Sequence, residues 1–347
     1  TNTAVGSNAL GYNTTGSYNN AVGYSALVAN TTGADNTSVG SLSLDANTTG
    51  GQNVAVGVNA LGVNSTASYN TALGFAALTD NTTGASNTAV GYLALGDNTT
   101  ANSNTAIGYT SLRINTTGVH NVGCGYETLM SNTTGGSNVA VGLEALRSNT
   151  TASNNTAVGR GALYANTTAS DNCAVGHNAL NSNTTGASNT GIGRAAVNSN
   201  TTGSFNTGVG HAALNSNTTG YNNEAIGYQA LLAHTTGYYN TALGTGALKA
   251  VTTGNRNIGI GRFSGHQITT GLYNVNVGEW SNGSCVTGTH NVAIGTNTMA
   301  ANTASYNTAV GGIALDSNSS GANLSLIHIS EPTRRTPISY AVFCLKK

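Results

Sequence analysis

Charged residues are scarce in this chain. Only 6% of its 347 residues are Asp, Glu, Lys or Arg, and the formal net charge at pH 7 is zero, whereas about 25% are charged in typical soluble domains. Such a balance supplies no field that would attract nucleic acid or an anionic membrane surface. No apolar run approaches the ~20 residues that a membrane-spanning helix needs. We therefore expect neither a nucleic-acid partner nor membrane insertion.

Proline and cysteine are also rare, with two and four residues. Both prolines, Pro332 and Pro337, lie near the C-terminus, so the rest of the chain has none. This is typical of strands whose N–H groups all donate to neighbours. No cysteine pair has CxxC spacing, and neither the histidines nor the acidic residues recur at ligand spacing. The sequence predicts no metal site and no cofactor.

A strict repeat replaces these missing features. A glycine recurs every 17 residues from Gly6 to Gly295, and one residue is lost before Gly311 of the nineteenth copy. The consensus is N-T-A-V-G-Y-x-A-L-x-x-N-T-T-G-x-x, and we number its positions 1 to 17 from Asn2 of the first copy. Repeats of this kind stack, and each copy forms one coil of a solenoid.

The columns of the repeat predict the fold class. Position 4 is Val, Ile or Leu except at Cys124, and position 9 is almost always Leu; we expect both to be buried, with Cys124 as a small core residue. Burial of such a side chain contributes about 1.5–3 kcal/mol, whereas ordering each backbone residue costs about 1–2 kcal/mol. One coil therefore cannot fold alone. We predict an all-β chain, a parallel β-solenoid (β-roll or β-helix) of about nineteen coils over residues 1–323, on the order of 90 Å long.

Other columns predict local structure. T-A-V-G-Y has the bias of a strand, and Asn at position 1 predicts an amide ladder. N-T-T-G predicts a turn in which Gly supplies a positive φ. A-L-x-x-N is compatible with a second strand or one helical turn. Small residues at positions 3, 5 and 8 indicate either a tight corner within the coil or an interface with a sister chain.

The character of the sequence changes at Leu324. The segment LSLIHISEPTRRTPISYAVFCLKK resembles a conceptual translation of a short-read sequencing adapter. We therefore predict that residues 324–347 are an artefact and not a domain. The chain also opens at Thr1 without an initiator Met or a signal peptide, so we expect a fragment that lacks its native ends.

The motif NTAVGYxALxxNTTGxxNTAVG resembles repeats of phage tail-fibre and bacterial surface proteins. Its core N-x-A-[VI]-G is similar, more distantly, to head repeats of trimeric autotransporter adhesins. The resemblance covers residues 1–323 and implies an extracellular fibre, on a virion tail or a bacterial cell surface, that forms homotrimers and presents a binding tip to a host-surface glycan or receptor. It transfers no catalytic residue.

Aromatic residues concentrate at positions 6 and 17, where they could stack on sugars or pack against a partner. Copies sixteen and seventeen are irregular, because Gly265 and Asn282 replace Leu at position 9. Their bulky residues either form a ligand patch or, as we favour, refill a core that lacks Leu. The candidate ligand or partner surface is Tyr24, Phe75, Tyr92, Tyr109, Tyr126, Tyr228, Phe263, Tyr273 and Trp280.

Two other classes of function compete with a fibre. Thr at positions 13 and 14 would form a regular array, as in an ice-binding or surface-adsorbing solenoid, although adjacent Thr residues of a strand point to opposite faces. A glycan-cleaving enzyme needs a close pair of carboxylates, and Glu127 with Glu144, one coil apart, is the nearest candidate. We predict no enzyme activity, and we expect the histidines to be surface substitutions.

Overall fold

The computed structural model describes residues 1–328, which contain twenty strands of three residues and no helix. Each strand occupies positions 2–4 of its copy. The strands are β1 Thr3–Val5, β2 Asn20–Val22, β3 Thr37–Val39, β4 Val54–Val56, β5 Thr71–Leu73, β6 Thr88–Val90, β7 Thr105–Ile107, β8 Val122–Cys124, β9 Val139–Val141, β10 Thr156–Val158, β11 Cys173–Val175, β12 Thr190–Ile192, β13 Thr207–Val209, β14 Glu224–Ile226, β15 Thr241–Leu243, β16 Ile258–Ile260, β17 Val275–Val277, β18 Val292–Ile294, β19 Thr308–Val310 and β20 Ser325–Ile327.

Two compact units divide the strands. The first spans Thr1–His177 and contains β1–β11, and the second begins at Asn178 and contains β12–β20. Within each unit, successive strands pair in parallel and in register at a spacing of 17 residues, as where Ala106 of β7 faces Gly123 of β8, except that the spacing between β18 and β19 is 16 residues. The predicted all-β, parallel β-solenoid of 17-residue coils is therefore confirmed.

The strand faces are opposite to the prediction for position 4. Ala106 at position 3 is fully buried, whereas Ile107 at position 4 is 41% exposed, and nearly every coil repeats this pattern. Leu at position 9 is buried as predicted. It fills the interior so completely that a Cβ added to Gly259, at position 3, would lie 2.6 Å from Leu248 Cγ. Because only small residues fit at position 3, position 4 must face outward.

This geometry also decides between the two explanations for the small residues. Those at positions 3 and 8 face the narrow interior of their own coil, as shown by the fully buried Ala89 and Ala94. They are therefore a packing requirement within the coil. Cys124, which we expected in the core, is only half-buried on the outward face.

The segment A-L-x-x-N is neither a strand nor a helical turn. It is a succession of tight turns in which positions 7 and 9 adopt left-handed φ angles, as in Thr110 (48°) and Leu112 (52°). Position 5 has φ near +130° and lies against the backbone of the next coil, where a Cβ on Gly108 would overlap the Gly125 carbonyl. Only glycine satisfies both conditions.

The glycine of N-T-T-G does not have the predicted positive φ. The left-handed residue of this turn is at position 17, as in Ser103 with φ of 59°. Position 15 instead packs closely against the next coil, and Ala101 and Ala152 stand there in other copies. Its small size, and not its conformational freedom, explains glycine at position 15.

Two ladders of buried asparagines line the coils. At position 1, the Asn121 N–H donates to Asn104 Oδ1 (2.8 Å), and Asn104 Nδ2 donates to the Gly118 carbonyl (2.9 Å). At position 12, Asn115 Nδ2 donates to Asn98 Oδ1 (3.1 Å) and to the Gly118 carbonyl (2.9 Å). The predicted amide ladder at position 1 is confirmed. A second ladder accompanies it and closes each turn, so buried amides satisfy backbone groups that the three-residue strands leave unpaired.

The C-terminal segment enters the described residues only through its first five residues. Ser325–Ile327 pair in register with Thr308–Val310, and residues 329–347 lie outside the described part of the chain. Any short extended segment can add to a parallel ladder by its backbone alone. The adapter assignment of residues 324–347 therefore stays a prediction.

Candidate interaction surface

The outward side chains of position 4 form an apolar column in each unit, which we call the outward ladder. Leu73, Ile107 and Ile226 are 46%, 41% and 44% exposed. No charged residue interrupts the column in the nineteen copies. Its members are Val5, Val22, Val39, Val56, Leu73, Val90, Ile107, Cys124, Val141, Val158 and Val175 in the first unit, and Ile192, Val209, Ile226, Leu243, Ile260, Val277, Ile294 and Val310 in the second.

Aromatic side chains at position 6 broaden this ladder in the first unit. Phe75, Tyr92, Tyr109 and Tyr126 stack face to face with centroid separations of 5.5, 5.3 and 5.2 Å and interplanar angles of 8–11°. Val58 and Leu143, both 43% exposed, occupy position 6 at the two ends of the stack. The structure thus brings together four of the predicted surface residues in one apolar strip beside the outward ladder.

The stacking restricts what this strip can bind. A sugar ring packs on an aromatic face, but the faces of Tyr92 and Tyr109 are covered by their neighbours. Ring edges and aliphatic side chains remain available to solvent. This surface is suited to packing against another apolar surface, and it offers little for sugar stacking.

The other predicted surface residues are dispersed. Tyr24 is 58% exposed at position 6, away from the four-ring stack. Tyr228 stacks on His211 at 5.4 Å, and Tyr273 stacks on His290 at 4.8 Å in the column of position 17. Tyr24 and Tyr228 share position 6 with the stack but lie in other coils, and Tyr273 lies in another column, so these residues form no single site with the stack.

Phe263 and Trp280 form a separate cluster in copies sixteen and seventeen. Their centroids lie 4.8 Å apart, and His266 packs edge-on against Trp280 at 4.8 Å. Beside them, Arg262 Nη1 donates to Glu279 Oε1 at 2.9 Å. Trp280 remains 37% exposed. The aromatic rings therefore lie on the surface, and our prediction that the bulky residues refill the core is wrong for them.

The core of these copies is refilled by other residues. Gly265 occupies the place of Leu, and a Cβ there would lie 2.9 Å from Asn276 Nδ2 and 3.0 Å from Ile268 Cδ1. Asn276 is the largest residue at position 3 in any copy, and Ile268 replaces Asn at position 12. Both occupy the space that Leu fills elsewhere.

This refilled core is polar and incompletely hydrogen-bonded. Among the described residues, six buried side-chain atoms have no hydrogen-bond partner, and five of them belong to Ser264, Asn276, Ser281 and Asn282. Polar replacements elsewhere are paired, as in Ser38 Oγ to Ser43 Oγ at 2.6 Å. Because an unpaired buried polar atom costs about 1–3 kcal/mol, we expect these copies to be the less stable part of the second unit.

The paired carboxylates do not form the arrangement of a glycosidase. Arg147 Nε lies 2.7 Å from Glu127 Oε2 and 3.7 Å from Glu144 Oε1, so one guanidinium neutralises both. The hydrogen bond to Glu127 raises the pKa of Arg147. A hydrogen bond between Tyr126 and Glu127, together with the negative charge of Glu127, raises the pKa of Tyr126. The cluster is an ion pair at the rim of the aromatic strip.

His234 is the one predicted surface histidine that the structure places fully in the interior. It stands at position 12, where Nδ1 lies 3.0 Å from Asn217 Oδ1 and Nε2 lies 3.2 Å from Asn240 Nδ2. The imidazole thereby replaces an amide of the ladder. Burial lowers its pKa from 6.5 to about 4, so the ring is neutral at pH 7.

Groups that could hold a metal are absent from residues 1–328, where no three His, Cys, Asp or Glu residues converge. Cys124, Cys173 and Cys285 are free thiols, and burial raises the pKa of Cys285.

In the same described residues, no helix is long and apolar enough to cross a membrane. No protein-family model matches the chain, and no curated protein matches it.

Proposed function

We propose that this chain is a structural segment of an extracellular attachment fibre, from a phage tail fibre or a bacterial surface adhesin, and that its copies associate through the outward ladder. The observation that carries the proposal is an exposed column that stays apolar in all nineteen copies. We assign the chain no catalytic role. Its partners are other copies of the chain and, through a tip, a host-surface glycan or receptor.

The internal repeats supply the first support. Other exposed positions vary freely: position 6 includes Ser41, Arg160 and Glu279, and position 17 includes Asp35. Position 4 is as exposed as these, yet it accepts only Val, Ile, Leu and one Cys. Since the coil does not bury these side chains itself, the restriction is explained if another molecule covers them.

A second copy of the chain fits this surface best. It presents the same ladder at the same spacing of ~4.8 Å per coil, so side chains can interdigitate along many coils. The chain has no net charge and no charged residue in the ladder, which removes electrostatic repulsion between copies.

The size of the strip is adequate for a stable contact. In the first unit the ladder has eleven members, and position 6 adds six apolar side chains from Val58 to Leu143. A standard interface buries ~800 Å² of each partner, and we propose that these side chains supply that area in the first unit. The similarity to trimeric fibres favours three copies around a common axis.

Sedimentation velocity of the chain tests the proposal. We expect a trimer that dissociates when Leu73, Ile107 and Val141 are all changed to Lys, because three charges then enter an apolar contact. These side chains face outward, so circular dichroism should remain that of the parent. The matched control changes the exposed Thr66, Thr100 and Thr134 of position 14 to Lys and should leave the trimer intact.

A monomeric parent chain at micromolar concentration would contradict the proposal. So would an oligomer that survives the three ladder substitutions. In either case the outward face would need another explanation.

An ice-binding solenoid is the second candidate, and one observation favours it. The outward face carries Thr at position 2 beside the aliphatic residue at position 4 in about half of the copies, as in the half-buried Thr105 and the exposed Ile107. The predicted Thr array at positions 13 and 14 has less support as an ice-binding surface. The hydroxyls of position 13 donate to carbonyls of the next coil, as from Thr31 Oγ1 to the Thr48 carbonyl at 3.0 Å, and are not free to donate to water. Thermal hysteresis by a monomeric chain would favour this candidate over the fibre.

A further inference from the structure

Position 17 of the second unit forms a column in which planar groups stack one per coil. Tyr273, His290 and Tyr306 lie in succession, with centroid separations of 4.8 and 4.9 Å and interplanar angles of 17° and 7°. The imidazole of His290 is the middle member of this stack. The column therefore holds a planar group between two aromatic rings that are two coils apart.

The neighbouring coils hold a guanidinium in the same way. Arg256 stands at position 17 between Tyr239 and Tyr273, and its Cζ lies 5.8 Å from the first ring centroid and 5.3 Å from the second. Its Nη1 also donates to Tyr273 Oη at 2.6 Å. The molecule thus contains its own example of an arginine between two stacked rings.

Two coils before Arg256, the column has no ring or guanidinium between its two aromatic residues. Phe205 and Tyr239 are 60% and 50% exposed and stand two coils apart, and Asn222 lies between them. The short Asn222 leaves a slot of about 320 Å³, lined by these three residues and by Thr207, Glu224 and Thr241. The three latter residues are position 2 of successive coils, so Glu224 lies at the level of the missing ring.

We propose that this slot binds the guanidinium group of an arginine from a partner protein or peptide. The planar cation would stack between Phe205 and Tyr239, as Arg256 does between Tyr239 and Tyr273 two coils further along the column, and its in-plane N–H groups would donate to the Glu224 carboxylate. Glu224 lies on the same outward face of β14 as Ile226 of the ladder, but the proposal requires no contact between copies of the chain.

The chemistry of the lining selects this ligand over other cations. Two aromatic faces attract a cation, and two steps of ~4.8 Å leave room for one planar layer between them. A guanidinium has two flat faces and directs its N–H groups sideways, whereas the ammonium of lysine is tetrahedral and cannot stack on both rings. Glu224 has no ion-pair partner within the described residues, so its charge is available.

Saturation-transfer NMR of the full chain with three capped tripeptides tests the proposal. The peptides are acetyl-Gly-Arg-Gly-amide and its lysine and citrulline counterparts, of which citrulline is planar but uncharged. We expect only weak binding of the arginine peptide, because the slot is open to solvent and offers the cation two exposed rings and one carboxylate. The lysine and citrulline peptides should bind several-fold more weakly.

Substitutions assign the binding to the slot. Asn222→Arg should fill the slot with the chain's own guanidinium and abolish binding, and Phe205→Ala, at an exposed side chain, should abolish it without disturbing the fold. Glu224→Gln should reduce the preference for arginine over citrulline, whereas the control Glu279→Gln, at an exposed carboxylate paired with Arg262, should not. Equal binding of the three peptides, or arginine binding that survives both Asn222→Arg and Phe205→Ala, would overturn the proposal.

Discussion

Residues 53–138 and residues 257–306 use the same 17-residue coil but fill it differently. In the first region every copy has Leu at position 9 and Asn at position 12, and positions 3 and 8 are Ala except for Gly123, Ser111 and Thr128, of which Ser111 and Thr128 hydrogen-bond to each other. In the second, polar residues such as Ser264 and Asn282 enter the core, while Ile268 and Cys285 replace Asn at position 12. In copies sixteen and seventeen, therefore, polar side chains occupy position 8 and, in copy seventeen, position 9, and apolar side chains occupy position 12.

The features that the two regions share show what defines the coil. The amide ladder of position 1 continues through the irregular copies, where the Asn274 N–H donates to Asn257 Oδ1 and the Asn291 N–H to Asn274 Oδ1, both at 3.0 Å. Gly261 and Gly278 keep the positive φ of position 5. The backbone path thus depends on positions 1 and 5, whereas the core composition can vary at a cost in stability.

The largest expected effect comes from giving a regular coil the core of an irregular one. Leu112→Asn places an amide where Leu is fully buried. We expect a loss of about 3–5 kcal/mol, from the lost apolar burial and an unpaired amide. Hydrogen exchange of nearby ladder amides, such as the Gly125 N–H that donates to the Ile107 carbonyl, measures it. A loss below ~1 kcal/mol would show that the regular core tolerates a polar residue at position 9 as well as the irregular core does.

The glycine of position 5 should be equally necessary in both regions. Gly108→Ala and Gly278→Ala should each cost about 3 kcal/mol or more, because the φ is open only to glycine and the added methyl meets backbone of the next coil. The matched control is Gly118→Ala at position 15, where the added methyl also meets a carbonyl of the next coil but the φ is not positive and Ala101 and Ala152 occupy the position in other copies, so we expect a smaller loss than at Gly108. Hydrogen exchange again measures the difference. Equal losses of stability for Gly108→Ala and Gly118→Ala would contradict the conclusion that the backbone path depends on position 5.

His234, which ends the regular ladder of position 12 before Val251, should make stability depend on pH. Its pKa is about 4 in the folded chain and 6.5 when exposed, so the unfolded state binds the proton first as the pH falls. Stability is then full above pH 6.5, decreases on the order of 3 kcal/mol down to about pH 4, and levels off below it. Denaturation of the parent and of His234→Asn between pH 7 and 4 checks this, since the variant lacks that contribution. Parallel pH profiles would contradict it.

The converse of the first substitution should have the smallest effect. Asn282→Leu restores the consensus residue and removes two buried atoms without partners. We expect a gain of about 1–3 kcal/mol, seen as slower exchange of the Met299 N–H, which lies one coil further on and donates to Ala314. A loss would indicate that the polar core of these copies is optimised as a unit.

Much of the fold could be predicted from the repeat alone. Strict periodicity predicted the parallel solenoid, Leu at position 9 predicted the core, and Asn at position 1 predicted the amide ladder. Candidate surface residues were predicted less well. The repeat shows that several aromatic residues occupy the same position, but it does not show which of their side chains are in contact. Phe75 to Tyr126 do stack, whereas Tyr24 lies apart from them. The arginine slot exists because Asn222 separates two aromatic residues at position 17. A consensus sequence averages over the copies and therefore does not show such a local difference.

The sequence by itself determined the period, the parallel register and the residues that must be small or amide-bearing, because these follow from stacking identical units. Only the tertiary structure decided which face of each strand is inside. Alternation places positions 3 and 4 on opposite faces without saying which is buried. That choice depends on the width of the interior, which Leu at position 9 and the surrounding turns reduce until only Ala, Gly, Ser or one compensated Asn fits at position 3. Val and Ile therefore face outward, where another molecule can cover them.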